Sequence, residues 1–266
     1  MDITLTSSFL LILLGFLSGT IAVIAGVGGG VFFVSFITLL FFIPINIAID
    51  TSTFIILLSS LAGFIMYLRQ KRTNIKLALI FSAFSILGSL LATILFLFVK
   101  IDNIILKILF ASTLLIAGLN MINKAVKTKR NSLKKENLQQ HFSLEEHDYK
   151  SNLIISIPLF ILAGFIANFL GIGGGIINTP ALNIVLEYPI HNATAISTSI
   201  IFFTAVYNTI LKIFSGEINY LIGFLIAVGS ILGSIFGAKI SKKMPKVTLQ
   251  FFVAIVLMGL AIRMYF

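Results

Sequence analysis

Gly26-Val27-Gly28-Gly29-Gly30 returns later in the chain as Gly171-Ile172-Gly173-Gly174-Gly175. Each copy lies between a long apolar run and a short one, and each short run ends at a proline, Pro44 or Pro189. Glycine is the poorest helix former after proline, so four glycines in five residues break a helix. In hydrocarbon a break strands backbone N–H and C=O groups, which is tolerated only where the backbone is buried in protein or lines a cavity. Two such breaks at corresponding places in two halves of one chain are the sequence mark of a transporter with its substrate between inverted repeats.

The surroundings of the breaks are apolar. Hydrophobic residues make up 58% of the chain and charged residues 11%, against roughly 45–50% and about 25% in soluble domains. Runs of about 18 or more apolar residues recur, each able to cross the bilayer as a helix. The expected fold is an all-α integral membrane protein. The short alternating segments of a β-barrel do not occur. The formal charge of +10 is concentrated in a few loops, as expected for orientation in a membrane rather than for nucleic-acid binding. There is no cysteine, which excludes disulfides, thiolate nucleophiles and cysteine-ligated metal. Asp2, with no Lys or Arg beside it, favours a retained first helix over a cleaved signal peptide.

Five apolar segments, roughly 8–25, 31–43, 48–68, 75–99 and 104–122, form an N-terminal membrane repeat (1–122). A polar linker (123–150) follows. Segments 151–170, 176–186, 193–211, 218–238 and 247–265 form a C-terminal repeat (151–266). With a shift of 145, Gly26, Gly28, Gly29, Gly30, Pro44 and Ile45 fall on Gly171, Gly173, Gly174, Gly175, Pro189 and Ile190. After a two-residue insertion, Ala48-Ile49-Asp50-Thr51-Ser52 matches Ala195-Ile196-Ser197-Thr198-Ser199.

Basic residues swap between equivalent loops. Arg69, Lys71, Arg72 and Lys76 lie after the third segment, where the second half has only Lys212 and Glu217. Lys239, Lys242, Lys243 and Lys246 follow the ninth segment, where the first half has Lys100 and Asp102. By the positive-inside rule the halves face opposite ways. Loops 69–76 and 239–246 and the linker are then cytoplasmic, and both chain ends lie outside. The short segments, 31–43 and 176–186, would return the chain toward the side it left, as re-entrant hairpins or as steep pairs of broken helices. Tyr67, Tyr188, Tyr220 and Tyr265 fall near segment ends, where interfacial aromatics belong.

A helix starting after Gly30 or Gly175 directs its free N–H groups and positive dipole end at the break. Such a terminus binds anions without a charged side chain. Gly26, Gly28, Gly29, Gly30, Gly171, Gly173, Gly174 and Gly175 are therefore candidate binding positions, gripping one small anion from both sides. Thr51, Ser52, Thr198 and Ser199 open the third segment of each half and could cap a helix or donate to an oxyanion. Asn178, with Thr179, lies in the first turn after the second break, where the first half has Phe33 and Val34. Asp50, Glu187 and His191 are the ionisable residues nearest the hairpins. His191, with a near-neutral unperturbed pKa, is the candidate for proton coupling. The acidic, histidine-bearing stretch His141–Asp148 lacks a recognised metal spacing. No P-loop, catalytic triad or zinc-protease motif occurs, so neither a cofactor nor an enzymatic function is expected.

The two glycine motifs, the continuation Ile176-Ile177-Asn178-Thr179-Pro180 and the Ala-Ile-x-Thr-Ser strings at 48–52 and 195–199 resemble the sulfite exporter TauE/SafE family of membrane permeases. The resemblance covers nearly the whole chain. It implies a plasma-membrane secondary transporter, in the first instance an exporter, of small anions such as sulfite, organosulfonates or related sulfur-containing anions. Alternating access would be coupled to a proton or a sodium ion. The family often has a proline five residues after the last motif glycine: Pro180 supplies it in the second half, and Ser35 stands there in the first. An anion channel of the same fold and a non-transporting membrane scaffold are the alternatives.

Overall fold

The computed structural model describes residues 5–99, 101–132, 152–241 and 246–265. The first half comprises α1 (Leu5–Ala25), α2 (Gly30–Phe41), α3 (Ile45–Arg69), α4 (Ile75–Phe98) and α5 (Asn103–Ser132). The second comprises α6 (Leu153–Leu170), α7 (Gly175–Pro180, continued by a π-helical turn Ala181–Val185), α8 (Ile190–Ser215), α9 (Tyr220–Ile240) and α10 (Lys246–Tyr265). Among the described residues seven helices are long and apolar enough to span a bilayer: α1, α3, α4, the 103–123 part of α5, α6, α8 and α9. The chain is a multi-pass α-helical membrane protein. Helix α5 runs on to Ser132, so the first part of the polar linker is helical. The rest of the linker, with the His141–Asp148 stretch, lies outside the described residues.

The two halves share backbone detail well beyond hydropathy. Gly26, Gly28 and Gly29 have φ of 66, 101 and 72°, and Gly171, Gly173 and Gly174 have 66, 89 and 75°. L-residues avoid this left-handed region, which explains the glycines. Each short helix ends on a left-handed residue, Phe42 (φ 53°) or Glu187 (φ 57°), that stands 145 positions from its counterpart. Pro44 and Pro189 then start α3 and α8 with nearly equal dihedrals.

Packing follows the same pairing. Helix α1 packs on α9, and its counterpart α6 packs on α4. Both pairs run parallel. Ile12, Phe16 and Thr20 face Gly229, Gly233 and Gly237, while Ser85 and Ser89 face Gly164 and Asn168. Backbone lies against backbone along these stripes, as small residues permit in membranes. A Cβ on Gly229, Gly233, Gly88 or Gly164 would strike a carbonyl of the neighbouring helix. Two elements pack on their own counterparts, α3 on α8 and α5 on α10. Both are antiparallel: Thr53 meets Thr209 and Phe64 meets Phe202, while Ser112 meets Tyr265 and Gly118 meets Met258. In these two pairs the equivalent helices point in opposite directions.

The short helices differ past their starts. Helix α2 stays regular for 12 residues, and Ser35 Oγ donates back to the Val31 carbonyl at 2.6 Å. Helix α7 gives way after Pro180 to the π turn. Proline lacks the N–H of the i→i−4 bond, and the backbone regains pairing in wider turns.

Tyr67 and Tyr188 are fully buried, contrary to the interfacial placement expected from the sequence. Tyr67 Oη donates to the Val23 carbonyl of α1 at 2.8 Å, and the loop after α3 folds inward over α8 and the end of α9 instead of standing in solvent. Tyr220 and Tyr265 are exposed.

Candidate functional site

The glycine breaks lie against each other where α3 and α8 cross. A Cβ on Gly28 would come 3.3 Å from the Gly173 Cα, and one on Gly173 would come 3.4 Å from the Gly28 Cα. Gly30, the first residue of α2, is pressed on the Gly171 carbonyl, and Gly175, the first residue of α7, on the Gly26 carbonyl. Each short helix therefore begins on the other half's break. Phe32 and Phe33 N–H donate to the Gly29 carbonyl, and Ile177 and Asn178 N–H to that of Gly174. Among the described residues no acceptor meets the N–H groups of Gly28, Gly29, Gly30 and Val31, or of Gly173, Gly174, Gly175 and Ile176. These are the orphan donors of two helix starts, on buried residues except for the half-buried Gly28 and Ile176.

The hydroxyls at the strings are otherwise engaged. Helices α3 and α8 begin at Ile45 and Ile190, after prolines, so Thr51, Ser52, Thr198 and Ser199 lie well inside them and cap nothing. Ser52 Oγ donates to the Gly171 carbonyl at 2.9 Å. Thr51 Oγ1 accepts from the Asn219 N–H at 3.0 Å. Thr198 Oγ1 bonds back to Thr194, and Ser199 Oγ bonds to Ala195 and Thr73. The Gly26 carbonyl takes Thr179 Oγ1 at 2.7 Å and Ser197 Oγ at 3.0 Å. Of these groups Ser52, Thr179 and Ser197 pin the breaks in place. Asn178 is different: its side chain is 1% exposed, and neither amide atom has a partner among the described residues.

A small pocket opens beside Gly173, with room for about one water molecule. It is lined by Thr53 and Ile56 of α3, Ala167 of α6, and Ile201, Thr204, Ala205 and Asn208 of α8. Asn208 Oδ1 is buried without a donor among the described residues. The pocket is one-sided. The counterparts of Thr204, Ala205, Asn208 and Ile56 are Leu57, Leu58, Leu61 and Phe203. There Phe64 stacks on Phe202 (ring centroids 5.3 Å apart), with Phe203 at 5.5 Å, and closes the crossing.

Two charged groups that read as loop residues in the sequence are buried. Lys212 sits inside α8, its Nζ 2.9 Å from Asp50 Oδ1 of α3 and 3.2 Å from the Asn168 carbonyl of α6. At the other end of the α3–α8 crossing, Arg72 is 5% exposed. Its guanidinium donates to Ser241 Oγ at 2.6 Å and to the His191 carbonyl at 2.7 Å, and lies over the Tyr67 ring. Burial pulls the Arg72 pKa below its ordinary value. His191 thus stands in the first turn of α8, away from the pocket, and its backbone is part of the clasp on Arg72. Sequence reading missed Thr53, Thr204 and Asn208. Their only signal is a polar residue every turn along apolar helices.

The family model described as "Sulfite exporter TauE/SafE" matches residues 11–264. Among curated proteins the chain is similar to "Probable membrane transporter protein YunE" of Bacillus subtilis, 27% identical over 260 residues, covering 94% of each chain. It is similar also to "Probable membrane transporter protein YdhB" of the same organism, 29% identical over 241 residues, covering 91% of this chain and 93% of the relative. A third relative is "Probable membrane transporter protein MJ0441" of Methanocaldococcus jannaschii, 27% identical over 256 residues, covering 89% and 88%. No solved structure matches. The chain belongs to the sulfite exporter TauE/SafE family.

Proposed function

We propose that this member of the sulfite exporter TauE/SafE family is a secondary transporter of a small sulfur-containing oxyanion, with sulfite and organosulfonates first, moved by alternating access in the plasma membrane. The observation that carries this reading is the pair of left-handed glycine breaks in mutual contact. They leave two groups of buried backbone donors where α3 and α8 cross. A buried unpaired amide is costly unless a ligand satisfies it. Helix starts carry partial positive charge that favours an anion. Glycine lets oxygen atoms approach the backbone closely.

In this reading Gly28–Gly30 and Gly173–Gly175 donate to the oxyanion, and Asn178 adds an amide. Ser52, Thr179 and Ser197 hold the breaks in register, while Thr51, Thr198 and Ser199 act through helix packing. The structure is then closed on the side of Phe64, Phe202 and Phe203, with a small remnant of the pathway on the side of Asn208. Rocking of the halves about the crossing would exchange the two. The basic loops face the cytoplasm, both chain ends face out, and a proton or sodium ion couples the cycle.

Proteoliposomes containing the purified protein should exchange labelled sulfite or a small sulfonate with saturation, and unlabelled substrate inside should accelerate entry. Flux rising linearly with concentration would instead identify a channel. No flux of any small oxyanion would remove the proposal.

A further inference from the structure

The buried ion pair sits at the outer end of the pocket, within one turn of it on three helices. Lys212 follows the pocket residue Asn208 by four positions on α8, so the two share a face. Its carboxylate partner Asp50 precedes the pocket residue Thr53 by three on α3. Its third contact, the Asn168 carbonyl, belongs to the residue after the pocket-lining Ala167 on α6. The ammonium therefore lies just beyond the pocket lining, at the end away from Gly173. Its side chain is 8% exposed and that of Asp50 19%.

The pair has no counterpart in the other half, where Asp50 and Lys212 correspond to Ser197 and Ile65. Fold symmetry does not require it. An ion pair this buried is costly to desolvate and is weak as a stabilising device, which points to use of its charge. Asp50 also holds the neighbouring loop: its Oδ2 accepts the Glu217 N–H at 3.1 Å, and the adjacent Thr51 accepts that of Asn219. Losing the Asp50–Lys212 contact would free the cation while leaving the loop bonds to Asp50 Oδ2 and Thr51 in place. An ammonium has three donors, and two are used in the resting pair.

We propose that Lys212 is the first cationic contact of the transported oxyanion, met at this end of the pocket before the anion reaches the glycine breaks, and that the Asp50 carboxylate occupies it as an internal stand-in while the pocket is empty. This rests on the anion-transport reading above and specifies its selectivity. The ligand is a small anion whose oxygens replace a carboxylate on an ammonium, and a neutral or cationic solute of the same size is rejected. Arrival of the anion breaks the pair, and its departure restores it, so one charge both selects the cargo and closes the outer end behind it.

The test is equilibrium binding of radiolabelled sulfite to purified protein, with flux in proteoliposomes, for the wild type, Asp50→Asn, Lys212→Met and the double variant. Removing a competing carboxylate and removing a cation have opposite effects on affinity. Asp50→Asn should bind sulfite several-fold more tightly and release it more slowly. Lys212→Met should bind about ten-fold or more weakly, as loss of a charge-assisted contact predicts. The double variant should remain weak. Equal losses in both single variants, with recovery in the double, would overturn the proposal and leave a structural ion pair. Should Lys212→Met fail to fold, Asp50→Asn decides alone: weaker binding than wild type overturns the assignment. A wild type that binds no sulfite or sulfonate defeats the transport reading itself, whereas wild-type binding retained in Lys212→Met defeats this inference only.

Discussion

Alanine at Gly30 or Gly175 is the sharpest probe of the crossing. Both residues have ordinary helical backbones, so alanine carries no conformational penalty there. On propensity alone it would add about 1 kcal/mol of stability. The added Cβ, however, falls on the Gly171 carbonyl oxygen in one case and on the Gly26 carbonyl oxygen in the other. The Ile172 Cα is 2.8 Å from the first position. Neither obstacle is a side chain that can turn aside. Restoring van der Waals separation needs one break to withdraw by roughly 1 Å. Overpacking of this kind costs about 1–3 kcal/mol, and contact with backbone puts it at the upper end. A net loss of about 2 kcal/mol per variant is expected after the propensity gain. The double variant should cost less than the sum, because one withdrawal relieves both contacts. Denaturation in detergent followed by circular dichroism measures the stability, and sulfite flux in liposomes reports on the site. Wild-type stability and flux in both single variants would refute the contact between the breaks, and with it the site.

Asn208→Leu removes an unpartnered buried acceptor and fills the pocket. It should hold or raise stability, by up to about 1–3 kcal/mol, while abolishing saturable flux. Arg72→Ala deprives the His191 carbonyl and Ser241 of their donor and should cost about 1–3 kcal/mol. Arg72→Lys should recover little of that loss, since one ammonium cannot reproduce the fork, and thermal denaturation separates the three proteins. Because the chain has no cysteine, single cysteines at Lys71 and Glu217 can report topology. In right-side-out vesicles an impermeant maleimide should label Glu217→Cys and spare Lys71→Cys, and the reverse pattern would invert the orientation.

Much of the fold was legible because the bilayer enforces it. A chain that cannot leave amides unpaired in hydrocarbon must show its helices as apolar runs and its breaks as glycine clusters. The 145-residue offset that aligns Gly26 with Gly171 also aligns the left-handed Phe42 with Glu187, although those two side chains share no chemistry. The breaks were readable as interruptions of the helices for the same reason. Side-chain partnerships were not. Thr51 and Ser52 look like helix caps, but α3 starts at Ile45, six residues before Thr51, so the hydroxyls turn to neighbouring backbone. Lys212 and Arg72 look like loop charges because hydropathy ends near them. Burial depends on which helix arrives alongside, here α3 beside Lys212 and α9 beside Arg72. Tyr67 was misplaced for that reason too. The Asn208 pocket is set by α3, α6 and α8 together, and the polar residue at each turn of α8 does not by itself announce it.

Amide nitrogen spectra of protein labelled only at glycine test the central claim most directly. The chain has 20 glycines, and those of the α1–α9 and α4–α6 stripes serve as internal references. Added sulfite should shift the resonances of Gly28, Gly29, Gly30, Gly173, Gly174 and Gly175 with one saturation curve matching transport, and leave Gly229 and Gly233 in place. Unmoved break resonances at concentrations that saturate flux would mean that the cargo is held elsewhere.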